Sequence, residues 1–308
     1  MKKIFISLLA TATLAGCSGN EENLAIDDGR PVPIELNAGV NTLSRAVISP
    51  GDDISNIGIA GWEAEEGQAK CTDPYTWHTH LTTTASTTAH NVTWLAQQYY
   101  NADATIYTHM KAWYPCGDFV TSPIENNKVT FSNDGTVDVM MADVVKGNKT
   151  LGVSGPLQFK HKTSQIKFKV KKGTGLTDGT KIKKIVIKDA QLPTGFDISQ
   201  DYKTPDAITY ADAADLQIPN LNSNQVIGDE ASAGNPVMIR PTGSKTFKID
   251  VETSGATYKD CEVTLTGEGA IMSEGYAYTI TLTFGQAGLE LTATVDEWKS
   301  ATGGAELQ

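Results

Sequence analysis

Residues 32–40 read Val32-Pro33-Ile34-Glu35-Leu36-Asn37-Ala38-Gly39-Val40, with every even position apolar and every odd one polar, Gly or Pro. A period of two predicts a strand with one buried face, and Pro33, which has no N–H to give a ladder, places it at a sheet edge. Ile57-Gly58-Ile59-Ala60-Gly61-Trp62 reads as a core strand made of small residues, and residues 105–113 as another strand. The alternation is cleanest late in the chain. Ile166, Phe168 and Val170 alternate with Lys167, Lys169 and Lys171, and Phe247, Ile249 and Val251 with Lys248, Asp250 and Glu252. Tyr276, Tyr278, Ile280, Leu282 and Phe284 share one face, as do Leu289, Leu291, Ala293 and Val295. Half-buried strands joined by Gly- and Asn-rich turns predict antiparallel β-sandwiches, with the lysine run 167–172 as a solvated face.

Between these segments the pattern weakens. Residues 41–56 look like a loop punctuated by Ser49-Pro50-Gly51-Asp52-Asp53. Residues 71–91 are rich in Thr and His without periodicity and read as a long loop or exposed hairpin, while 93–100 fit a helical turn or a strand equally. Asn133-Asp134-Gly135 between residues 129–131 and 137–141 is a hairpin signal. Residues 147–156 are the expected seam, giving an N-terminal sandwich over 46–155 and a C-terminal one over 156–308.

Composition narrows the function. The 308 residues carry a formal charge of −11, which argues against tracking a nucleic-acid backbone, and charged residues are only 20%. Lys2 and Lys3 precede an apolar run over 4–14, broken by Ser7, Thr11 and Thr13 and too short to span a membrane as a helix. It reads as a secretory signal over residues 1–16. Leu14-Ala15-Gly16-Cys17 resembles the lipobox of bacterial lipoproteins, so Cys17 would carry the lipid, palmitate included. Ser18-Gly19-Asn20-Glu21-Glu22 is similar to an acidic tag for export to the outer face of the outer membrane. Residues 18–30 form a polar tether, and no second apolar run offers another membrane attachment.

Several passages resemble the fimbrillin-like (Mfa-like) subunits of type V pili. They are residues 31–46, Lys111-Ala112-Trp113-Tyr114-Pro115, Val137-Asp138-Val139-Met140-Met141-Ala142, residues 159–170 and the ending 275–298. Their order and spacing carry the likeness, since no single motif is specific. The resemblance implies two transthyretin-like β-sandwich domains, export as a surface lipoprotein, and a fibre built from copies of the chain and related pilins by strand exchange. It further implies a cut by an arginine-specific protease between Arg45 and Ala46, making 17–45 a removable segment. Losing the strand would uncover the sites of Val32, Ile34, Leu36, Ala38 and Val40, forgoing roughly 6–12 kcal/mol of burial as an upper bound. The bared backbone would then invite a donor strand from the next subunit. By the same resemblance the donor lies within 288–308, although residues 289–295 alternate well enough to be the last permanent strand.

Other chemistry is thin. Nucleophile elbow, metalloprotease helix, phosphate loop and dinucleotide fingerprint are all absent from the sequence, so the protein is expected to be non-enzymatic and to need no cofactor. His78-Thr79-His80 would put two imidazoles on one face of a strand, near Cys71, Asp73, His90 and His109. A structural zinc site needs four ligands, so these are expected to be a solvated polar loop without metal. Export permits a disulfide, for which Cys71 and Cys116 are the expected pair. Trp62, Trp77, Trp94 and Trp113 read as core rather than as a sugar-stacking platform. The rival to a stalk pilin is a surface lipoprotein of similar fold, a pilus tip adhesin included, that binds glycan or host protein without polymerising.

Overall fold

A computed structural model of the chain describes residues 30–40, 51–68, 71–116, 124–200, 207–266 and 270–297. Cys17, Arg45, Ala46 and residues 298–308 lie outside them. The chain divides into units Met1–Arg30 and Pro31–Gln308, and every strand below belongs to the second. Among the described residues all regular structure is β, in sheets of ten, five, four and three strands.

The ten-stranded sheet belongs to the first half. Its main path runs His90–Asn91, Asn37–Val40, Leu157–His161, Met140–Ala142, Ile106–Tyr114, Asp53–Glu65, Trp77–Thr84, Thr93–Trp94. One face buries Ile34, Leu36, Ile57, Ile59, Leu81, Met110, Met140, Leu157 and Phe159. The sheet curls around this core until Asn37–Val40 touches Trp77–Thr84, and Thr83 Oγ1 donates to Ala38 O at 3.5 Å. The other face carries Ala60, Trp62, Trp113, Val139 and Met141, which pack on Val129, Phe131, Phe196, Ile198 and Ile208. These come from the three-stranded sheet Lys128–Thr130, Pro193–Asp197 and Ile208–Tyr210. The middle of Asp53–Glu65, residues 57–62, is therefore buried on both sides, which is why that stretch reads as small and apolar with no alternation.

The second half is a two-sheet sandwich. Ser164–Lys172, Tyr276–Gly285 and Gly288–Glu297, with two short strands, face Ile182–Ala190, Thr246–Thr253, Thr257–Thr264 and Ala214–Gln217. Ile166, Phe168, Val170, Ile185, Ile187, Ile249, Val251, Tyr278, Ile280, Leu282 and Phe284 fill the space between them. The alternating positions read from the sequence are thus the core. Lys171 and Lys172 are exposed and Lys169 pairs with Glu230 at 2.7 Å, as a solvated face requires.

Several expectations need correction. Two ladders are parallel, Asn37–Val40 with Leu157–His161 and Ser164–Lys172 with Tyr276–Gly285. Periodicity reports which face is buried and is blind to strand direction. Asn133-Asp134-Gly135 makes a turn, with Asn133 Oδ1 accepting from Gly135 N at 2.8 Å. Its flanks do not pair, however. Lys128–Thr130 joins Pro193–Asp197, and Met140–Ala142 joins two strands of the ten-stranded sheet. Residues 77–84, expected within a long loop or exposed hairpin, form a strand paired on both sides inside the ten-stranded sheet. The sheets do not divide at 155/156 either: Leu157–His161 still belongs to the first sheet, and Pro193–Asp197 and Ile208–Tyr210 cover that sheet's other face.

The passage from one half to the other is a buried polar crossing. His161, Lys162, Thr163, Ser164 and Gln165 are all buried. His161 Nδ1 lies 2.7 Å from Asp138 Oδ2, while Asp138 Oδ1 accepts from Val139 N at 2.8 Å. Lys162 Nζ reaches Glu274 Oε2 at 2.5 Å, and Ser164 Oγ donates to Ser273 O at 2.7 Å. Most of these polar side chains are tolerated there because they find partners, whereas the buried Thr163 hydroxyl has none among the described residues. Two of the sequence passages noted above, 137–142 and 159–170, meet at this point.

Candidate assembly site

The first segment lies between two others and is not an open edge. Along one side, Ile34 N donates to Gln98 O (2.9 Å), Tyr100 N to Val32 O (3.0 Å), Val92 N to Leu36 O (3.1 Å) and Val40 N to Ser86 O (2.8 Å). Gln97 Nε2 adds a bond to Ile34 O at 3.0 Å. Along the other side Ala38, Gly39 and Val40 pair in parallel with Leu157, Gln158 and Phe159. Gly39 suits this fit, because a Cβ there would stand 3.1 Å from Ser86 O and 3.2 Å from Ala89 Cα, tighter than most such contacts.

Burial follows the predicted even positions with two departures, Val32 and the buried odd-numbered Gly39. Ile34, Ala38 and Val40 are fully buried and Leu36 nearly so, whereas Val32 is 37% exposed. Pro33 forms a single bridge to Tyr99 and the regular strand spans only Asn37–Val40, so Val32 lies at the start, before the sheet closes over it. Without Val32, the three large buried side chains give roughly 5–9 kcal/mol of apolar burial, again an upper bound.

Beside residues 32–37, where parallel pairing has not yet begun, runs a groove of about 580 Å³ lined by Glu35, Leu36, Tyr100, Lys149, Leu151 and Pro156 among others. The Tyr100 hydroxyl is buried with no hydrogen-bond partner among the described residues. Burial, and then the charge of Glu35, push its pKa up to about 12. It remains a neutral O–H beside Gly147, where a Cβ would stand 2.8 Å from it.

At the other end of the chain, Gly288–Glu297 pairs along its whole length with Tyr276–Gly285 at the edge of the five-stranded sheet. Ala293 is buried and Leu289, Leu291 and Val295 pack on the core. Of the two readings left open by the sequence, these residues therefore stand here as the sandwich's own last strand. The tail that follows, residues 298–308, is outside the described residues.

The expected Cys71–Cys116 bridge is not formed; Cys71, Cys116 and Cys261 are thiols. Cys116 Sγ sits instead 3.3 Å from His80 Nε2. Trp62 and Trp113 are buried and Trp77 and Trp94 half-buried on the cores, as packing predicts. Sequence reasoning missed Lys111, which is 7% exposed. Its Nζ donates to Ile198 O (3.0 Å), Ser199 O (3.4 Å) and Gln200 O (2.7 Å), fastening the end of Pro193–Asp197 to the ten-stranded sheet. A lysine between Met110 and Ala112 in an apolar strand was the available signal.

The fimbrillin-like family model matches residues 44–298. The chain belongs to the fimbrillin-like family. Residues 1–18 match the prokaryotic membrane lipoprotein lipid attachment site, which includes Cys17. A Bacteroides uniformis protein named as a fimbrium subunit, Fim1C, is 24% identical over 99% of this chain and 98% of its own. Solved structures described as cell adhesion proteins of Bacteroides uniformis and Bacteroides ovatus share the fold, with TM-scores of 0.57 and 0.55 at 19% and 15% identity. They cover 87% and 88% of this chain and 98% and 99% of their own. The fimbrillin-like family is structural and not enzymatic, and membership implies assembly with other pilin subunits. With the lipid attachment site, it points to a surface-exposed lipoprotein.

Proposed function

We propose that this fimbrillin-like protein is a pilus subunit that polymerises on the outer membrane surface by donor-strand exchange. Its first strand acts as a removable plug. Cys17 anchors the precursor through its lipid, and an arginine-specific protease cuts between Arg45 and Ala46. The observation that supports this is the first segment itself: Ile34, Leu36, Ala38 and Val40 are buried in the core, yet their strand lies outside the segment 46–308 that would persist after the cut. Removing the strand opens an apolar slot flanked by the backbones of residues 86–100 and 157–159. Such an edge binds another strand readily. Because the cut leaves the plug noncovalently held, exchange is slow until a donor from the next subunit displaces it. Donor residues lie within 288–308, and the segment after residue 297 is the part not already committed to a ladder.

Immunogold electron microscopy on cells tests the reading. Wild-type protein should label filaments, Arg45→Ala should label the surface without filaments, and Cys17→Ala should leave the membrane fraction. Diffuse labelling of wild type with no filaments would favour a non-polymerising surface lipoprotein that binds glycan or host protein.

A further inference from the structure

Three side chains with no part in strand exchange meet on the other face of the ten-stranded sheet. Trp77–Thr84 sends His78 and His80 to the same side, two residues apart. The neighbouring strand offers them only small partners, since His78 pairs with Ala60 and His80 with Gly58. On the far side of that strand Trp113 is also paired with Gly58. The missing side chain at 58 leaves room for the indole, which a Cβ there would meet at 2.4 Å. Trp113 thus lies over the strand, and His78 stacks flat on it with centroids 5.8 Å apart and an angle of 9°. His80 stands edge-on to His78 at 5.3 Å. Just beyond the end of Ile106–Tyr114, Cys116 brings its Sγ to 3.3 Å from His80 Nε2.

The donor atoms of His78, His80 and Cys116 all lie within 4.8 Å of one another. A tetrahedral centre with bonds of about 2.0–2.3 Å holds its donors roughly 3.4–3.6 Å apart, so small side-chain adjustments suffice. We propose that His78, His80 and Cys116 form a binding site for one borderline-soft divalent cation of the zinc class, its fourth position left to water or an incoming donor. Two imidazoles and a thiol without a carboxylate suit that class and not calcium or magnesium. His78 Nε2 is buried and has no hydrogen-bond partner among the described residues, which a metal bond would supply. On binding, the Cys116 thiol gives its proton to solvent and ligates as thiolate. The cation would tie Trp77–Thr84 to the chain just beyond Ile106–Tyr114, across the strand between them. The hydrogen-bonding contact of Cys116 with His80 then marks the metal-free form of the site.

Cobalt(II) titration of the purified chain, stripped with chelator and kept under a phosphine reductant, tests this directly. One cobalt per chain should bind with sulfur-to-metal charge-transfer absorption, and zinc(II) should displace it. Cys116→Ser should abolish the absorption. His80→Ala and His78→Gln should each weaken zinc binding at least about tenfold in calorimetry. Cys71→Ser and Cys261→Ser should leave both readouts unchanged. Circular dichroism of each metal-free variant checks that it still folds, and the two histidine variants carry the test if Cys116→Ser does not. Absence of the charge-transfer band in wild type, or its survival in Cys116→Ser, would overturn the site. So would zinc affinity that neither histidine variant changes.

Discussion

Replacing Lys111 by methionine keeps the volume of the aliphatic stem and removes only the ammonium group. That group is buried and donates to the carbonyls of Ile198, Ser199 and Gln200 at 3.0, 3.4 and 2.7 Å. The change relieves the cost of desolvating a cation, which is several kcal/mol, but it orphans the acceptors. An acceptor left buried without a donor costs about 1–3 kcal/mol. Ile198 is fully buried, whereas Ser199 and Gln200 are half-buried and can recruit water. One full penalty and two partial ones come to roughly 2–4 kcal/mol, and the relieved desolvation offsets part of that, leaving a net loss of about 1–2 kcal/mol. Urea unfolding should show a lower midpoint at unchanged slope. Limited proteolysis should show faster cutting around residues 198–210, because the three-stranded sheet loses its fastening. A loss under about 0.5 kcal/mol, the range of an ordinary surface substitution, would refute the claim that Lys111 locks this layer to the ten-stranded sheet.

Ile34→Ala removes a fully buried side chain from the plug, so the uncut chain should lose about 2–5 kcal/mol in urea unfolding, while the cut chain should exchange its strand faster. Unchanged exchange kinetics would show that burial at this position does not hold the plug. His109 is held below the ordinary histidine range, first by burial and then by the charge of Lys146. Below about pH 6.5 the unfolded chain therefore takes up a proton that the folded chain resists, and stability falls as pH falls. His109→Gln should flatten that part of the stability–pH curve, and an identical curve would contradict the assignment. Chain nicked between residues 149 and 156 should still run as one particle, because Pro193–Asp197 and Ile208–Tyr210 cover the first half's sheet. Separation of the fragments in native buffer would show that the halves are independent.

Much of the second half was legible because its strands bury one face each. Ile166, Phe168 and Val170, or Tyr278, Ile280, Leu282 and Phe284, announce that face by strict alternation. The strand Trp77–Thr84 was hidden for a physical reason: its buried face is Thr79, Leu81 and Thr83, so two of its three core positions look polar in sequence. The buried face of the first strand was legible from Ile34 to Val40, but the exposure of Val32 was not, since alternation cannot show where a sheet ends. The cluster of His78, His80 and Cys116 needed the sheet register, because 36 residues separate His80 from Cys116. Only the chain's return over Gly58 brings them together. Likewise no local pattern could reveal that residues 193–210 close over a sheet built from residues 37–161.

Strand exchange requires that the cut after Arg45 turn a monomer into a polymer. Size-exclusion chromatography of wild type and Arg45→Ala, each before and after trypsin-like digestion under reducing conditions, measures it. Uncut protein of both kinds should elute as monomer, and only digested wild type should grow slowly into oligomers that resist reductant. Equal oligomer yield from both digested proteins would contradict the role of Arg45, and digested wild type that stays monomeric would contradict the exchange of the first strand.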